Sequence, residues 1–159
     1  MNKLFSELER LYFLPEQTWL SHGLDAAGAP VYAIEGLLPA DRLAIDLLST
    51  EGLVRALLID FKKSADWSHI AHLYEAIQSE LGLPAPAVSI SGSQGIVLWM
   101  SLAEPVPVAE ASTFLKALSS QYLADIPEHH LGLLPGSDNA MADLSSVVML
   151  PCTRLKATE

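Results

Sequence analysis

Val54-Arg55-Ala56-Leu57-Leu58-Ile59-Asp60-Phe61 is a mostly apolar run of strand length. Apolar residues fall on both of its faces, so it is expected as a central strand covered from either side. The chain around it follows from that reading. Downstream, Asp66 can cap a helix in which Ile70, Leu73, Tyr74, Ile77 and Leu81 recur at intervals of three or four, and Gly82 supplies the stop. Pro84-Ala85-Pro86 is a stiff connector. Val88-Ser89-Ile90-Ser91 and Ile96 to Leu102 flank Gly92-Ser93-Gln94-Gly95, the pattern of a hairpin with a glycine-rich tip. Pro105 and Pro107 lead into a further helix, with Ala111, Phe114, Leu115, Leu118 and Tyr122 on its buried stripe. Ile126 to Ala142 holds two prolines and two glycines and reads as loop, and Ser146 to Leu150 reads as a last strand.

Upstream, Asn2 can cap a helix that puts Leu4, Phe5, Leu8, Leu11 and Tyr12 on one stripe and ends near Pro15. A short strand is expected over Val31 to Ile34. Leu43, Leu47 and Leu48 suggest a short helix that stops before Gly52. Strands and helices mix without regular βαβ alternation, which defines an α+β class. The expected architecture is a mainly antiparallel central sheet of strands 54–61, 88–91, 96–102 and 146–150, packed by helices 67–81 and 107–123. Its core should include Leu58, Ile70, Leu73, Ile77, Ile90, Leu98, Phe114, Leu118 and Val148. No repeat or linker divides the chain, so residues 1–159 are read as one domain.

Composition narrows the function classes. Half of the residues are hydrophobic and 18% are charged, enough apolar material for a core and too little charge for disorder. Nine basic residues against nineteen acidic ones leave a net charge of −10, which weighs against a broad grip on phosphates. The single cysteine, Cys152, excludes an internal disulfide and any cysteine-rich metal site; beside Pro151 it reads as a small buried thiol. No apolar run approaches the roughly 18–20 residues of a membrane span, and Met1 to Arg10 lacks the apolar stretch of a secretory signal. A cytoplasmic protein without membrane contact is expected.

Asp60 ends an otherwise apolar strand, and Lys62, two residues on, shares its face. Strand ends are common places to hold a metal or a catalytic base, while the plain alternative is a solvated terminus. Ser91-Gly92-Ser93-Gln94-Gly95 offers backbone N–H groups and two hydroxyls in a tight turn, a geometry able to receive a phosphate, although it lacks the Gly-Lys-Ser/Thr ending of a Walker loop. His69 and His72 neighbour each other on one helix but lack a third ligand, and His129 and His130, being adjacent, should diverge. Trp19, Trp67 and Trp99 could stack on bases, though single tryptophans usually pack.

Taken in order, Leu58-Ile59-Asp60-Phe61-Lys62, the helix from Trp67 to Leu81, the stop Leu81-Gly82-Leu83-Pro84 and the hairpin from Val88 to Leu102 resemble the archaeo-eukaryotic primase superfamily. Within it, the likeness is to the polymerase domain of bacterial end-joining DNA ligases and to related primase-polymerases. Val147 to Arg154 also resembles the family's late strand and its arginine-containing end. The resemblance implies a primase-polymerase-like, RRM-like core and a vestigial first catalytic acid at Asp60. It implies a late third acid, for which Asp138 and Asp143 are the candidates, and nucleotide contacts from Ser91, Gly92, Ser93, Gly95 and Arg154. Members of the family usually continue beyond such an end, so the chain would be the N-terminal part of a longer one.

The departures fall on the chemistry. The family pattern calls for a second acid where Lys62 stands and for a histidine where Val97 stands. Two-metal nucleotidyl transfer needs carboxylates that together hold both cations. The resemblance therefore implies a scaffold with its catalysis lost, retained as an accessory or binding module in DNA replication, repair or mobile-element biology. A protein partner is expected, nucleic-acid binding should be weak or absent, and no cofactor is expected, with magnesium or manganese entering only if activity survives. Two alternatives stand beside it: an unrelated α+β protein that binds a small ligand or oligomerises, and a residual metal-dependent nucleotidyl transferase.

Overall fold

The computed structural model describes residues 3–18, 20–24, 26–27, 30–34, 42–63, 67–90, 95–136 and 147–149. The element order is α1 (Lys3–Tyr12), β1 (Leu20–Leu24), β2 (Pro30–Ile34), β3 (Arg42–Asp46), β4 (Leu53–Phe61), α2 (Trp67–Ser79), β5 (Ala87–Ile90), β6 (Ile96–Pro107), α3 (Val108–Tyr122), a single 3-10 turn over Glu128–His130, β7 (Leu131–Leu134) and β8 (Val147–Met149). The strands form two four-stranded sheets, ordered β5-β6-β4-β7 and β2-β1-β3-β8. Every pairing is antiparallel. The fold is α+β, as the sequence pattern predicts. Among the described residues no helix is long and apolar enough to cross a membrane.

β4 is the axis of the molecule, hydrogen-bonded along one edge to β6 and along the other to β7. Its alternate side chains build two separate cores. Leu57, Ile59 and Phe61 face Ile70, Leu73 and Ile77 of α2 and Ala111, Leu115 and Leu118 of α3. On the opposite face, Ala56 and Leu58 pack with Trp99 of β6, with Leu8, Tyr12 and Phe13 at α1, and with Ile45 and Leu47 at β3. Trp99 anchors this second core: its indole N–H donates to the Ser89 hydroxyl at 2.8 Å, and its ring meets Tyr12 at 5.3 Å. Gln17 ties the exit of α1 to the other sheet, its side-chain amide donating to the Asp46 carbonyl at 2.7 Å and accepting from the Leu14 N–H at 2.8 Å.

Several expectations are corrected. The short helix expected around Leu43–Leu48 is the strand β3. Ile45 and Leu47, two apart, both reach the second core, which is the period of a strand. Gly52 does not stop a helix; with φ +76° it closes the tight connection into β4, where the Ser49 hydroxyl accepts from the Leu53 N–H. The stretch read as loop after Ile126 contains β7, which supplies the fourth strand of the central sheet. The late strand expected in that place, observed at Val147–Met149, pairs with β3 in the second sheet. Of the expected core, Leu58, Ile70, Leu73, Ile77, Leu98 and Leu118 are buried and Phe114 is partly buried. The side chains of Ile90 and Val148 lie outside the described residues. Leu81 is exposed, because α2 ends at Ser79 and the chain leaves through Gly82 at φ +63°.

β4 and β6 fall out of step between Val54 and Ala56. Val54 pairs with Val106 and Ala56 with Ser101, so Leu102 to Pro105 bow out of the ladder opposite Arg55 alone. Arg55 fills the gap. Its Nε donates to the Leu102 carbonyl and its Nη1 to the Phe13 carbonyl, both at 3.2 Å. Arg55→Met should therefore lower the free energy of unfolding in urea by about 1.5–3 kcal/mol, the range for hydrogen bonds to a charged donor. Arg55→Lys should recover only part of that loss, since one ammonium cannot replace a fork serving two carbonyls.

Candidate functional site

Asp60 is the penultimate residue of β4, paired with Val97 on β6 and with Gly132 on β7. Residues directly opposite in an antiparallel ladder share a face, so the carboxylate rises between a valine and a glycine. A Cβ at position 132 would lie 3.3 Å from the Asp60 Cβ, 3.8 Å from its Oδ2 and 3.8 Å from the Lys62 Cε. Asp60 and Lys62 thus both lean across β7, and the bare backbone of Gly132 is the floor beneath them. The Lys62 N–H donates to the His130 carbonyl at 2.9 Å, which holds the start of β7 against the end of β4.

Electrostatically the site is lopsided. Half-burial pushes the Asp60 carboxyl above the ordinary carboxylate range, and the nearby Lys62 ammonium pulls it partway back. Among the described residues no histidine, cysteine, aspartate or glutamate side chains gather in a group of three or more able to hold a metal ion. The pair of divalent cations that the family resemblance implies does not fit the described residues: one half-buried carboxylate faces a lysine where a second acid would be needed.

The remaining sequence candidates divide cleanly. The β5–β6 ladder ends with Ile90 opposite Ile96, at the same end of the sheet as Asp60. Gly95 is buried just ahead of β6. Ser91, Gly92 and Ser93 lie outside the described residues, as do Asp138, Asp143, Cys152 and Arg154. Arg55, the nearest arginine in sequence, is committed to two backbone carbonyls. Lys62 and Lys63 are exposed, and Trp67, at the start of α2, is 59% exposed instead of packed. His72 turns toward Tyr122 of α3, with ring centroids 6.1 Å apart. His129 and His130 do not diverge; in their 3-10 turn the rings meet edge to face at 4.4 Å. Gly132 is the site residue that the sequence reading passes over. Its one local signal is the apolar run Leu131-Gly132-Leu133-Leu134, at the lower limit of strand length.

The fold and site define an α+β arrangement with an antiparallel central sheet, whose central strand ends in a carboxylate beside a lysine. No family model matches the chain, and no curated protein matches it. Among solved structures, the polymerase domain from Mycobacterium tuberculosis ligase D in complex with DNA aligns over 72% of this chain, with 17% identity and a TM-score of 0.46. The alignment covers 47% of that chain, so the present one spans about half its length.

A carboxyl that ionises less readily when folded than when unfolded holds its proton in the native state over a window from the ordinary carboxylate range up to its raised value. Through that window the folded state binds more protons, so stability from this group falls as pH rises. Asp60→Asn should accordingly raise the melting temperature at pH 7 by about 1–3 °C. The gain should shrink as the pH is lowered toward 4, measured by thermal denaturation of both proteins across that range.

Proposed function

We propose that this chain is a primase-polymerase-like domain that has lost nucleotidyl transfer and works as an accessory or binding module in DNA replication, repair or mobile-element biology. The observation that carries the reading is the arrangement around Asp60. A strand-end acid stands next to an arm of the glycine-tipped hairpin, in the order the family pattern requires, with Val97 directly opposite it. The two residues that break the pattern are the ones nearest the chemistry. An ammonium on the same face as Asp60 repels the cations that phosphoryl chemistry gathers, at a cost of a few kcal/mol for an effective dielectric of about 20. One carboxylate does not offset it.

The same residues favour a protein partner over naked nucleic acid. With Arg55 held by carbonyls, the basic groups left beside Asp60 among the described residues are Lys62 and Lys63. Trp67 opens α2 four residues further on and is free to stack on a base, a contact worth about 1–3 kcal/mol. Two phosphate contacts and one stack against a net charge of −10 make a weak, non-specific binder.

Calorimetric titration with manganese is expected to give no micromolar binding to the native sequence. Lys62→Asp, which supplies the second acid, should gain measurable binding that Asp60→Ala removes. Micromolar, Asp60-dependent binding by the native protein would restore the catalytic reading and end this one. In fluorescence anisotropy, a labelled oligonucleotide should bind no tighter than about 10⁻⁴–10⁻⁶ M near physiological salt. Two phosphate contacts predict a loss of about tenfold between 50 and 200 mM salt. Nanomolar affinity at physiological salt would assign a direct role on nucleic acid.

A further inference from the structure

A cavity of about 450 Å³ opens beyond the point where β5 stops covering β6. Its walls are the Leu83-to-Ala87 connector, the β6 residues from Trp99 to Val106, the first turns of α3 and the last turn of α1. Asp60, Lys62, Val97 and Gly132 take no part in it. The volume lies within the range of small-molecule sites, and the lining has their usual character, with Leu57, Met100, Leu102, Val106 and Phe114 supplying apolar surface.

Two polar groups give the cavity a direction. Tyr12 lines it while being only 3% exposed. A phenol at the wall of an apolar cavity can donate to an acceptor bound there. Burial also pushes this phenol above the ordinary tyrosine range, so at neutral pH it is a donor. The second group is Glu110, an exposed carboxylate in the first turn of α3 that lines the cavity at its solvent side. Together with the net charge of −10 it disfavours anions.

We propose that this cavity is a binding site for a small, uncharged apolar molecule that carries a carbonyl acceptor, with the Tyr12 hydroxyl donating to that oxygen and Glu110 excluding carboxylates and other anions. The site is separate from the Asp60 reading and stands or falls without it.

Prodan, a neutral dimethylaminonaphthyl ketone whose emission reports polarity and hydrogen bonding, is the probe. It should bind one to one with a blue-shifted emission, at least tenfold more tightly than the similarly sized anion anilinonaphthalene sulfonate. Tyr12→Phe should weaken prodan about three- to tenfold, the equivalent of one hydrogen bond. Glu110→Gln should narrow the preference over the anion while leaving prodan affinity in place. Ser101→Phe, at an exposed position of the lining, should abolish binding by filling the space. Ala111→Leu, at a buried one, should do the same, and circular dichroism of both variants establishes that they fold. Absence of saturable binding, or binding indifferent to Ser101→Phe, overturns the proposal. So does a dimer in sedimentation that Ser101→Phe dissociates, because the cavity would then receive a second copy of the chain.

Discussion

β4 is buried on both faces from Ala56 to Ile59, paired along one edge with β6 and from Leu58 onward with β7 on the other, and this constraint shapes most of what surrounds it. A strand in that position has no water for its backbone, so each N–H and C=O must be met within the sheet. Where the ladder with β6 breaks, opposite Arg55, the break needs a polar replacement, and the guanidinium supplies it from the strand itself. Where the strand leaves the core, at Asp60 and Lys62, the chain can carry charge again. The Lys62 amide still needs an acceptor and finds it in the His130 carbonyl. The candidate site lies at Asp60, where burial relents again after the buried run Ala56 to Ile59.

β6 outruns its partners, and two features arise from the same excess. On the β4 side, Leu102 to Pro105 bow out between the pairs Ser101–Ala56 and Val106–Val54. On the other side, β5 ends at Ala87 opposite Trp99, and the chain before it is Pro84-Ala85-Pro86. Prolines lack the N–H that would extend the ladder. The space that a longer β5 would fill is left open, walled by the connector and roofed by α3. The unfilled volume thus follows from backbone chemistry at two prolines, with the small lining residues Ala85, Ser101 and Ala111 leaving it open.

The elements read correctly from sequence are those whose pattern is local and long. β4 shows as an apolar run, α2 and α3 as stripes at helical spacing, and β5 with β6 as two runs about a glycine-rich tip. The failures have the opposite character. Around Leu43, Leu47 and Leu48 the spacing fits one helical turn, yet Arg42 to Ala44 pair with β1, Ile45 pairs with β8, and Ile45 and Leu47 pack with Leu58 and Trp99 across the core. Leu131 to Leu134 is four residues long, and only the open edge of β4 makes it a strand. The site follows the same division. That Asp60 and Lys62 share a face is readable from the two-residue period. That Gly132 lies beneath both is not, because nothing local joins it to residues some seventy positions earlier.

Asp60 stands near one end of β4, and the cavity meets the same strand at its middle. Leu57, which lines the cavity, precedes Asp60 by three residues, a separation of about 10 Å along an extended chain. Their side chains also point to opposite faces, Leu57 into the core under α2 and α3 and Asp60 toward the floor formed by Gly132. Between them the register is continuous from Ala56 to Phe61 against β6, with β7 fixing the other edge from Leu58 onward. A strand clamped in this way transmits little displacement, since a shift of one residue would turn every buried side chain to the wrong face. Occupancy of the cavity and the charge state at Asp60 should therefore behave as independent properties of the domain, the additive case for groups without shared partners.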